Sequence, residues 1–275
     1  MPELPETETI ARDLHREIAG ATIRRVTVTR PDVLRVVTAA TLARRVKGAR
    51  IAACRRRAKL VLLELSTGDR LVVQPRFTGA LLLDAGELSS EERAYSTVAF
   101  ALADGRVLHY RDIRRLGTVA LMSPTRWKAY SSALGAEPLD PEFTATYLSG
   151  LLRGSRQAVK RFLMDQRRIA GVGNIYANEA LWRARIDPSR PANRIGPEEA
   201  SALQRSLTAV LRESIQARGT SFRDYRDPSG ARGGFLEHLQ AYGRAGAPCQ
   251  RCGARLIGTD AIDGRSTVFC ARCQG

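Results

Sequence analysis

Apolar residues near the start of this 275-residue chain recur at one spacing and then switch to another. Ile10, Leu14 and Ile18 follow one another at i, i+4, while Arg12, Asp13 and Arg16 occupy the other side, which predicts an amphipathic helix over residues 7–18. From about residue 22 to 122 the pattern shortens into β-branched and aliphatic runs: TIRRVTV, LVLLEL, RLVVQ, ALLL, STVAFALA, RVLHY and GTVALM. Thr67-Gly68-Asp69 and Asp104-Gly105 are turn signals that separate several of them. Closely spaced strands joined by turns predict an antiparallel sandwich or barrel. The prolines of LGAEPLDPE (134–142) mark a linker, and helical spacing then returns, most clearly between Pro197 and Ala217, where Leu203, Leu207, Val210 and Leu211 share a side. The Gly, Arg and Ser-rich stretch 219–234 reads as one long loop, and loops of that length are usually functional or mobile. No internal repeat is visible.

Composition narrows the class of partner. The length suffices for two modest domains or one large one, and a 44% hydrophobic fraction supports a globular chain. Lys and Arg number 44 against 28 Asp and Glu, a formal charge of +16 that attracts polyanions. Nucleic acid is the first candidate, because each neutralised phosphate releases a counterion. Solubility or an Arg-rich composition competes with that reading, and charge alone does not decide between them. No apolar run approaches the roughly 18 residues of a membrane span. The acidic start matches neither a secretory signal nor a transit peptide, so a cytoplasmic protein is expected.

Four of the five cysteines fall in the last 27 residues. Cys249 and Cys252 form one C-x-x-C and Cys270 and Cys273 another, with 17 residues between the pairs. Four thiolates at this spacing close a tetrahedral site, so one structural zinc is expected with no open coordination position. The Asp263-Gly264 turn and the β-like TVF ending predict a two-stranded zinc ribbon that carries Arg265 at its stiff tip, where a cation could enter a groove of a duplex. A redox role is the competing reading. It fits poorly, because a thioredoxin-type motif is single and sits in a βαβ pattern.

The first six residues, MPELPE, pose a separate chemical question. Loss of the initiator Met before a small residue would leave Pro2 as a terminal secondary amine. An α-amino group titrates near about 7.7–8.0, against about 10.4 for Lys, so part of it is nucleophilic at neutral pH. Attack on a sugar C1′ would give an iminium that promotes elimination. Glu3 could move protons, and Glu6 could orient the same group or hold the amine cation. A flexible tail competes with this reading, although the helix expected directly behind weakens it. Pro5 and the acids at 3, 6 and 8 also suit a helix N-terminus, so some of these carboxylates could serve the helix dipole instead.

MPELPETET at one end, LMDQRRIAGVGNIYANEALW in the middle and PCQRCG…GRSTVFCARCQG at the other together resemble the formamidopyrimidine-DNA glycosylase family, which includes the endonuclease VIII type. The similarity runs through the whole chain. It implies an α+β protein, with an N-terminal antiparallel β-sandwich flanked by helices, then a helical helix-two-turns-helix domain and a zinc ribbon. The corresponding boundaries are 1–135 for the catalytic domain, 136–149 for a linker, 150–240 for the helical domain with a lesion-capping loop, and 241–275 for the zinc finger. The implied activity is a bifunctional glycosylase and abasic-site lyase on damaged duplex DNA in base excision repair, acting by β,δ-elimination. A monomer in the bacterial cytoplasm or nucleoid is expected, with no membrane partner. Pro2 resembles the Schiff-base nucleophile, Glu3 the proton-transfer carboxylate and Glu6 a supporting acid. Lys59 resembles a basic residue that reaches phosphate and lesion, and Arg265 resembles the zinc-finger arginine that clamps phosphates. Gly171, Gly173 and Asn174 resemble the phosphate-binding turn, and Lys160, expected among the DNA-binding residues, and Glu179 match other recurrent polar positions there, with an ordinary surface group the competing reading for either. A dinucleotide loop is a weak alternative for the glycines, since no strand precedes them.

Two loops depart from the family pattern. The stretch usually reading His-Leu-Gly-Met is here Gln74-Pro75-Arg76-Phe77, so Phe77 stands where a Met fills the hole left by an extruded base. The second reads Arg114-Arg115-Leu116-Gly117, which keeps Arg114 to read the opposite base and has Leu116 in place of the aromatic. A core position is the competing reading for Phe77. Leu4 and the loop Thr220–Phe235 favour oxidised purines, 8-oxoguanine and formamidopyrimidines. The alternatives are an endonuclease VIII-like enzyme for oxidised pyrimidines, a non-enzymatic zinc-ribbon DNA binder that leaves MPELPE unexplained, and an N-terminal-proline tautomerase that leaves the ribbon and charge unexplained.

Overall fold

Helix α1 (Leu4–Ile18) begins earlier than its apolar spacing predicts, because Glu3 serves as N-cap and Pro5 fits the first turn without needing its missing N–H. Its apolar side is fully buried at Leu4, Ile10, Leu14 and Ile18. The structure, a computed structural model, describes residues 1–222 and 224–275. These form two units, one of residues 1–132 with 217–234, the other of residues 133–216 with 235–275.

In the first unit nine strands follow α1: β1 (Ile23–Val28), β2 (Leu34–Arg35), β3 (Ile51–Arg57), β4 (Leu60–Leu65), β5 (Arg70–Gln74), β6 (Gly79–Asp84), β7 (Ser96–Leu102), β8 (Val107–Asp112) and β9 (Thr118–Met122). Helices α2 (Ala39–Val46), α3 (Ser90–Ala94) and α4 (Pro124–Ser132) lie among and after them. One sheet runs β1-β7-β8-β6 and the other β2-β9-β5-β4-β3. Every pairing is antiparallel except the two-residue β2, which runs parallel to β9. The two sheets share one core: Val98, Phe100, Leu108 and Leu81 from the first meet Val61, Leu63, Leu71, Val73 and Leu121 from the second, with Ile10, Leu14 and Ile18 of α1. This is the sandwich expected. Alternation explains the register, since Val61, Leu63 and Leu65 of β4 point to the shared core.

The described residues of 217–234 contain no helix or strand and close on themselves as a loop. Gly234 N–H donates to the Ala217 carbonyl (2.8 Å), and Thr220 bridges to Gly234. The loop's Leu83 contact, an N–H donated to the Pro228 carbonyl (3.0 Å), extends β6 along its free edge. Arg223 lies outside the described residues.

The second unit holds α5 (Ala145–Arg153), α6 (Val159–Leu163), α7 (Asn174–Ala184) and α8 (Pro197–Gln216), then a ribbon of β10 (Ile257–Thr259) and β11 (Thr267–Phe269). Helix α8 buries Leu203, Leu207, Val210 and Leu211, the side read from the sequence, against α5 and α7. Among the described residues no helix is long and apolar enough to cross a membrane.

Because Leu14 sits on the helix that closes the sandwich core, Leu14→Ala is expected to cost about 2–5 kcal/mol of stability. A urea titration of the two proteins checks this, and a loss below about 1 kcal/mol would mean the helix is not part of the cooperative core.

Candidate active site and nucleic-acid interface

Pro2, Glu3 and Glu6 are brought together by the first turn of α1, and all three are buried. The Glu3 N–H donates to Glu6 Oε2 at 2.8 Å, one arm of a capping box, and the Glu3 carbonyl accepts from the Thr7 amide and hydroxyl. The second oxygen of Glu6, Oε1, accepts the Thr220 N–H of the long loop at 2.8 Å. One carboxylate therefore spans the peptide that follows Pro2 and the loop 214 residues away. The Tyr225 hydroxyl approaches the Glu6 carbonyl at 3.5 Å, and burial next to the Glu6 charge pushes the Tyr225 phenol far up, so it stays neutral. Glu8, one turn on, is not in this group. Its carboxylate pairs with Arg56 (2.8 Å) and Arg12 (2.7 Å), and those two cations outweigh its burial and lower its pKa.

Lys59 occupies the two-residue turn between β3 and β4, where Ala58 takes a left-handed backbone (φ 53°). The Thr7 hydroxyl reaches the Ala58 carbonyl at 3.4 Å, which sets that turn against the start of α1. Lys59 is buried, so it is not the solvated strand-edge charge that a surface reading of RRRAKL would give. Cys54, on β3, is buried and its thiol is pushed up to about 12 by desolvation and then by Glu64, which leaves it unreactive.

Phe77 is 46% exposed and Leu116 39%, which removes the core reading for Phe77. The Arg114 guanidinium lies over the Phe77 ring at 5.5 Å, so the loop after β5 and the loop after β8 present an aromatic, a cation and a leucine side by side. Asp112 holds these loops in register, and nothing in the local sequence announces it. Its carboxylate is buried and accepts the Thr78 hydroxyl (2.6 Å), the Tyr110 hydroxyl (3.1 Å) and the Gly117 N–H (2.8 Å). Thr78 in turn accepts the Arg114 N–H at 3.0 Å. Gly117 is obligatory here, since a Cβ would sit 1.9 Å from the Tyr110 hydroxyl oxygen. Arg115 adopts φ 52° and pairs with Asp32 at 3.1 Å, which turns it away from Arg114's neighbourhood.

In the second unit Lys160 is fully buried and turned into the ribbon. Its ammonium donates to Thr267 Oγ1 (2.8 Å), Asp263 Oδ1 (3.2 Å) and the Ser266 carbonyl (3.3 Å). Asn174, the first residue of α7, donates to the same Ser266 carbonyl at 2.9 Å. The turn carrying Arg265 is thus braced from two elements, and the Arg265 side chain itself is exposed. Gly171 has φ 87° and its N–H is held by Gln166 Oε1 at 2.9 Å, so the glycine supplies a left-handed bend before α7. Glu179 is neither a surface group nor a partner of these. It is buried, accepts the N–H groups of Gln240, Ala241 and Tyr242 at 2.8–3.0 Å, and its pKa is raised because desolvation outweighs those three donors.

The sulfurs of Cys249, Cys252, Cys270 and Cys273 all lie within 4.8 Å of one another. Burial opposes ionisation of Cys249, yet the N–H groups of Arg251 and Cys252 outweigh it and bring that thiol down to about 6, whereas burial raises Cys270 and the Cys252 sulfur pushes Cys273 up to about 12. An all-thiolate tetrahedral set with amide donors suits one structural zinc and leaves no position open for chemistry. Arg251 stacks on Trp182 (3.9 Å) and donates to its carbonyl, which fastens the cysteine turn to α7.

Comparison with known proteins agrees with this layout. Residues 1–119 match the formamidopyrimidine-DNA glycosylase N-terminal domain, residues 134–226 the H2TH domain of the same enzymes, and residues 246–275 the zinc finger found in FPG and IleRS. The chain is 42% identical to a formamidopyrimidine-DNA glycosylase of Heliobacterium modesticaldum and 41% identical to one of Xanthomonas campestris, in each case over 100% of both chains. Its fold is similar to the MutM (Fpg) protein of Thermus thermophilus (37% identity, TM-score 0.88, 100% of this chain and 99% of that one). It is also similar to the Lactococcus lactis Fpg in complex with abasic-site DNA (32% identity, TM-score 0.90, 99% of each).

Two outcomes are expected. Asp112→Asn places an NH2 donor where three donors already converge, and should cost about 1–3 kcal/mol in thermal or urea melts; a melt matching the parent would remove Asp112 as organiser. The purified chain should carry one zinc by elemental analysis, and Cys270→Ala should lose it and expose the ribbon to proteolysis. Retention of a full equivalent by that variant would exclude the four-thiolate site.

Proposed function

The chain belongs to the formamidopyrimidine-DNA glycosylase family, and from that premise we propose that it excises oxidised purines, 8-oxoguanine and formamidopyrimidines, from duplex DNA and then nicks the strand. The observation that carries this reading is the Glu6 carboxylate, which binds the Glu3 N–H with one oxygen and the Thr220 N–H with the other and so ties the residue after Pro2 to the long loop.

Removal of Met1 frees the Pro2 nitrogen as a secondary amine. Its lone pair forms the bond to C1′ of the damaged nucleotide as the C1′–base bond breaks, and the base leaves with that electron pair and takes up a proton. The nitrogen then gives up its proton, the C1′–O4′ bond breaks with O4′ taking up a proton, and the resulting iminium draws electrons from C2′. Loss of a C2′ proton expels the 3′ phosphate, and a second elimination expels the 5′ phosphate. Glu3 is the carboxylate placed to carry these protons, and Glu6 keeps Glu3 and the loop in position. Lys59 and Arg265 hold phosphates of the lesion strand. The helix N-terminus at Asn174 offers amides to another phosphate, with Lys160 acting indirectly by bracing the ribbon turn. Phe77 fills the space left by the extruded base, while Arg114 and Leu116 face its former partner. The loop 217–234 caps the extruded base. A single chain suffices for this chemistry, and a monomer acting in a bacterial cytoplasm fits the basic charge and the DNA substrate.

Borohydride is expected to trap a covalent complex with 8-oxoguanine duplex, and one residue added ahead of Pro2 should lower trapping and nicking by at least about a thousandfold. Undiminished trapping by the blocked protein would overturn the assignment of the nucleophile. Phe77→Ala should slow release of 8-oxoguanine while leaving nicking of a preformed abasic site near the parent rate; equal losses on both substrates would remove Phe77 from base extrusion.

A further inference from the structure

Arg218 stands at the root of the 217–234 loop with a left-handed backbone (φ 63°). Its guanidinium pairs with two carboxylates at once, Asp13 on α1 and Asp227 on the opposite limb of the loop. Both acids are buried, Asp227 at 1% exposure and Asp13 at 6%. Asp227 does a second job with Oδ1, which accepts the Ser229 N–H (3.0 Å), the Ser229 hydroxyl (2.7 Å) and the Ala231 N–H (2.9 Å), closing the loop's tip. The other Asp13 oxygen, Oδ1, pairs with Arg16 at 2.5 Å. Asp227 is held below the usual carboxylate range, since the Ser229 and Arg218 donors overcome its burial. The same bonds, to Asp227 and then Asp13, drive the Arg218 pKa further up.

The next two residues lead from this ion cluster straight to the carboxylate behind Pro2. Gly219 has φ 86°, and a Cβ there would come within 3.0 Å of the Glu6 side chain and 3.1 Å of the Tyr225 ring, so the backbone lies directly on Glu6. Thr220 follows and donates its N–H to Glu6 Oε1. Asp13 and Glu6 are seven residues apart on α1, two turns along one side of the helix. The loop root therefore touches α1 at two points, an ionic one at Asp13 and a hydrogen-bonded one at Glu6, joined by a glycine that admits no side chain.

We propose that Arg218 is a positioning residue: pinned by Asp13 and Asp227, it sets the Thr220 amide on Glu6 and thereby fixes the loop for release of the base. A guanidinium suits this task because its planar fork reaches two carboxylates, whereas an ammonium is a point charge. The kinetic part rests on the proposed base excision; the structural part does not.

The test uses the full-length zinc-loaded chain and the variants Arg218→Ala, Arg218→Lys and Asp13→Asn. Amide hydrogen exchange at Thr220, single-turnover release of 8-oxoguanine and nicking of a preformed abasic site are measured for each. Arg218→Ala and Asp13→Asn are expected to speed Thr220 exchange and to slow base release by about tenfold or more, the scale of a small misplacement in a site. Nicking should stay within about twofold of the parent, because the sugar chemistry at Pro2 needs no capped base. Arg218→Lys should fall between parent and Arg218→Ala. Thr220 exchange unchanged in both neutralised variants overturns the pin. Equal losses in release and nicking, with exchange raised throughout the first unit, overturn it as well and make Arg218 a brace for the fold. If the parent releases no oxidised base, the proposed function fails while the exchange measurement still decides the pin.

Discussion

The carboxylate of Glu6 is the constraint on which the rest of the first unit's site depends. A buried acid needs hydrogen-bond donors to remain stable away from water, and Glu6 takes them from two distant stretches of chain, Glu3 and Thr220. That demand converts a proline-containing terminus, normally the least ordered part of a protein, into the ordered first turn of a helix. It also binds a long loop to that turn. A single side chain thus holds the residue next to Pro2.

Asp112 solves the same problem for the loops after β5 and β8, and Glu179 for the segment at 240–242. Asp112 collects its donors from three separate stretches and Glu179 from three successive amides of one segment, and in each case a buried carboxylate fixes irregular backbone. The consequence for function is that Phe77, Arg114 and Leu116 can be exposed and yet ordered. The exposed aromatic and leucine stand on loops whose roots are locked by Thr78 and Gly117.

Regular pattern made much of this legible in the chain. Helix α1, the strands LVLLEL, RLVVQ and GTVALM, helix α8 and the four-cysteine ribbon were all readable, because each depends on local spacing. Strand β3 was hidden, since IAACRRR ends in three arginines and its alternation is obscured; β2 is too short to show a period. Asp112 and Tyr110 were invisible for another reason. Their importance lies in meeting Gly117 and Thr78 across a sheet, which no window of residues records. Lys160 shows the limit most clearly: its sequence neighbourhood is basic and suggests a phosphate contact, while its ammonium is folded inward onto the ribbon turn. Likewise the loop 217–234 follows α8 without a break in the chain but belongs with α1, because Arg218 and Thr220 find their carboxylates 205 and 214 residues earlier.

These buried acids bear on the partner as well. Among the described residues nine carboxylate side chains are buried, Glu3, Glu6, Asp13, Asp69, Asp84, Asp112, Glu137, Glu179 and Asp227, whereas only Lys59 and Lys160 are buried among the lysines and arginines. Acids in the interior are held by backbone N–H groups or by a paired cation. The arginines and lysines, which can keep their heads in water while their stems cover apolar surface, remain on the exterior. Most of the cations are therefore on the exterior, where a phosphate can reach them. Attraction to a phosphate backbone depends on the number of phosphates neutralised at the surface, not on net charge. The internal use of acids to lock loops and the external excess of cations to hold DNA are thus one distribution of charge seen from two sides.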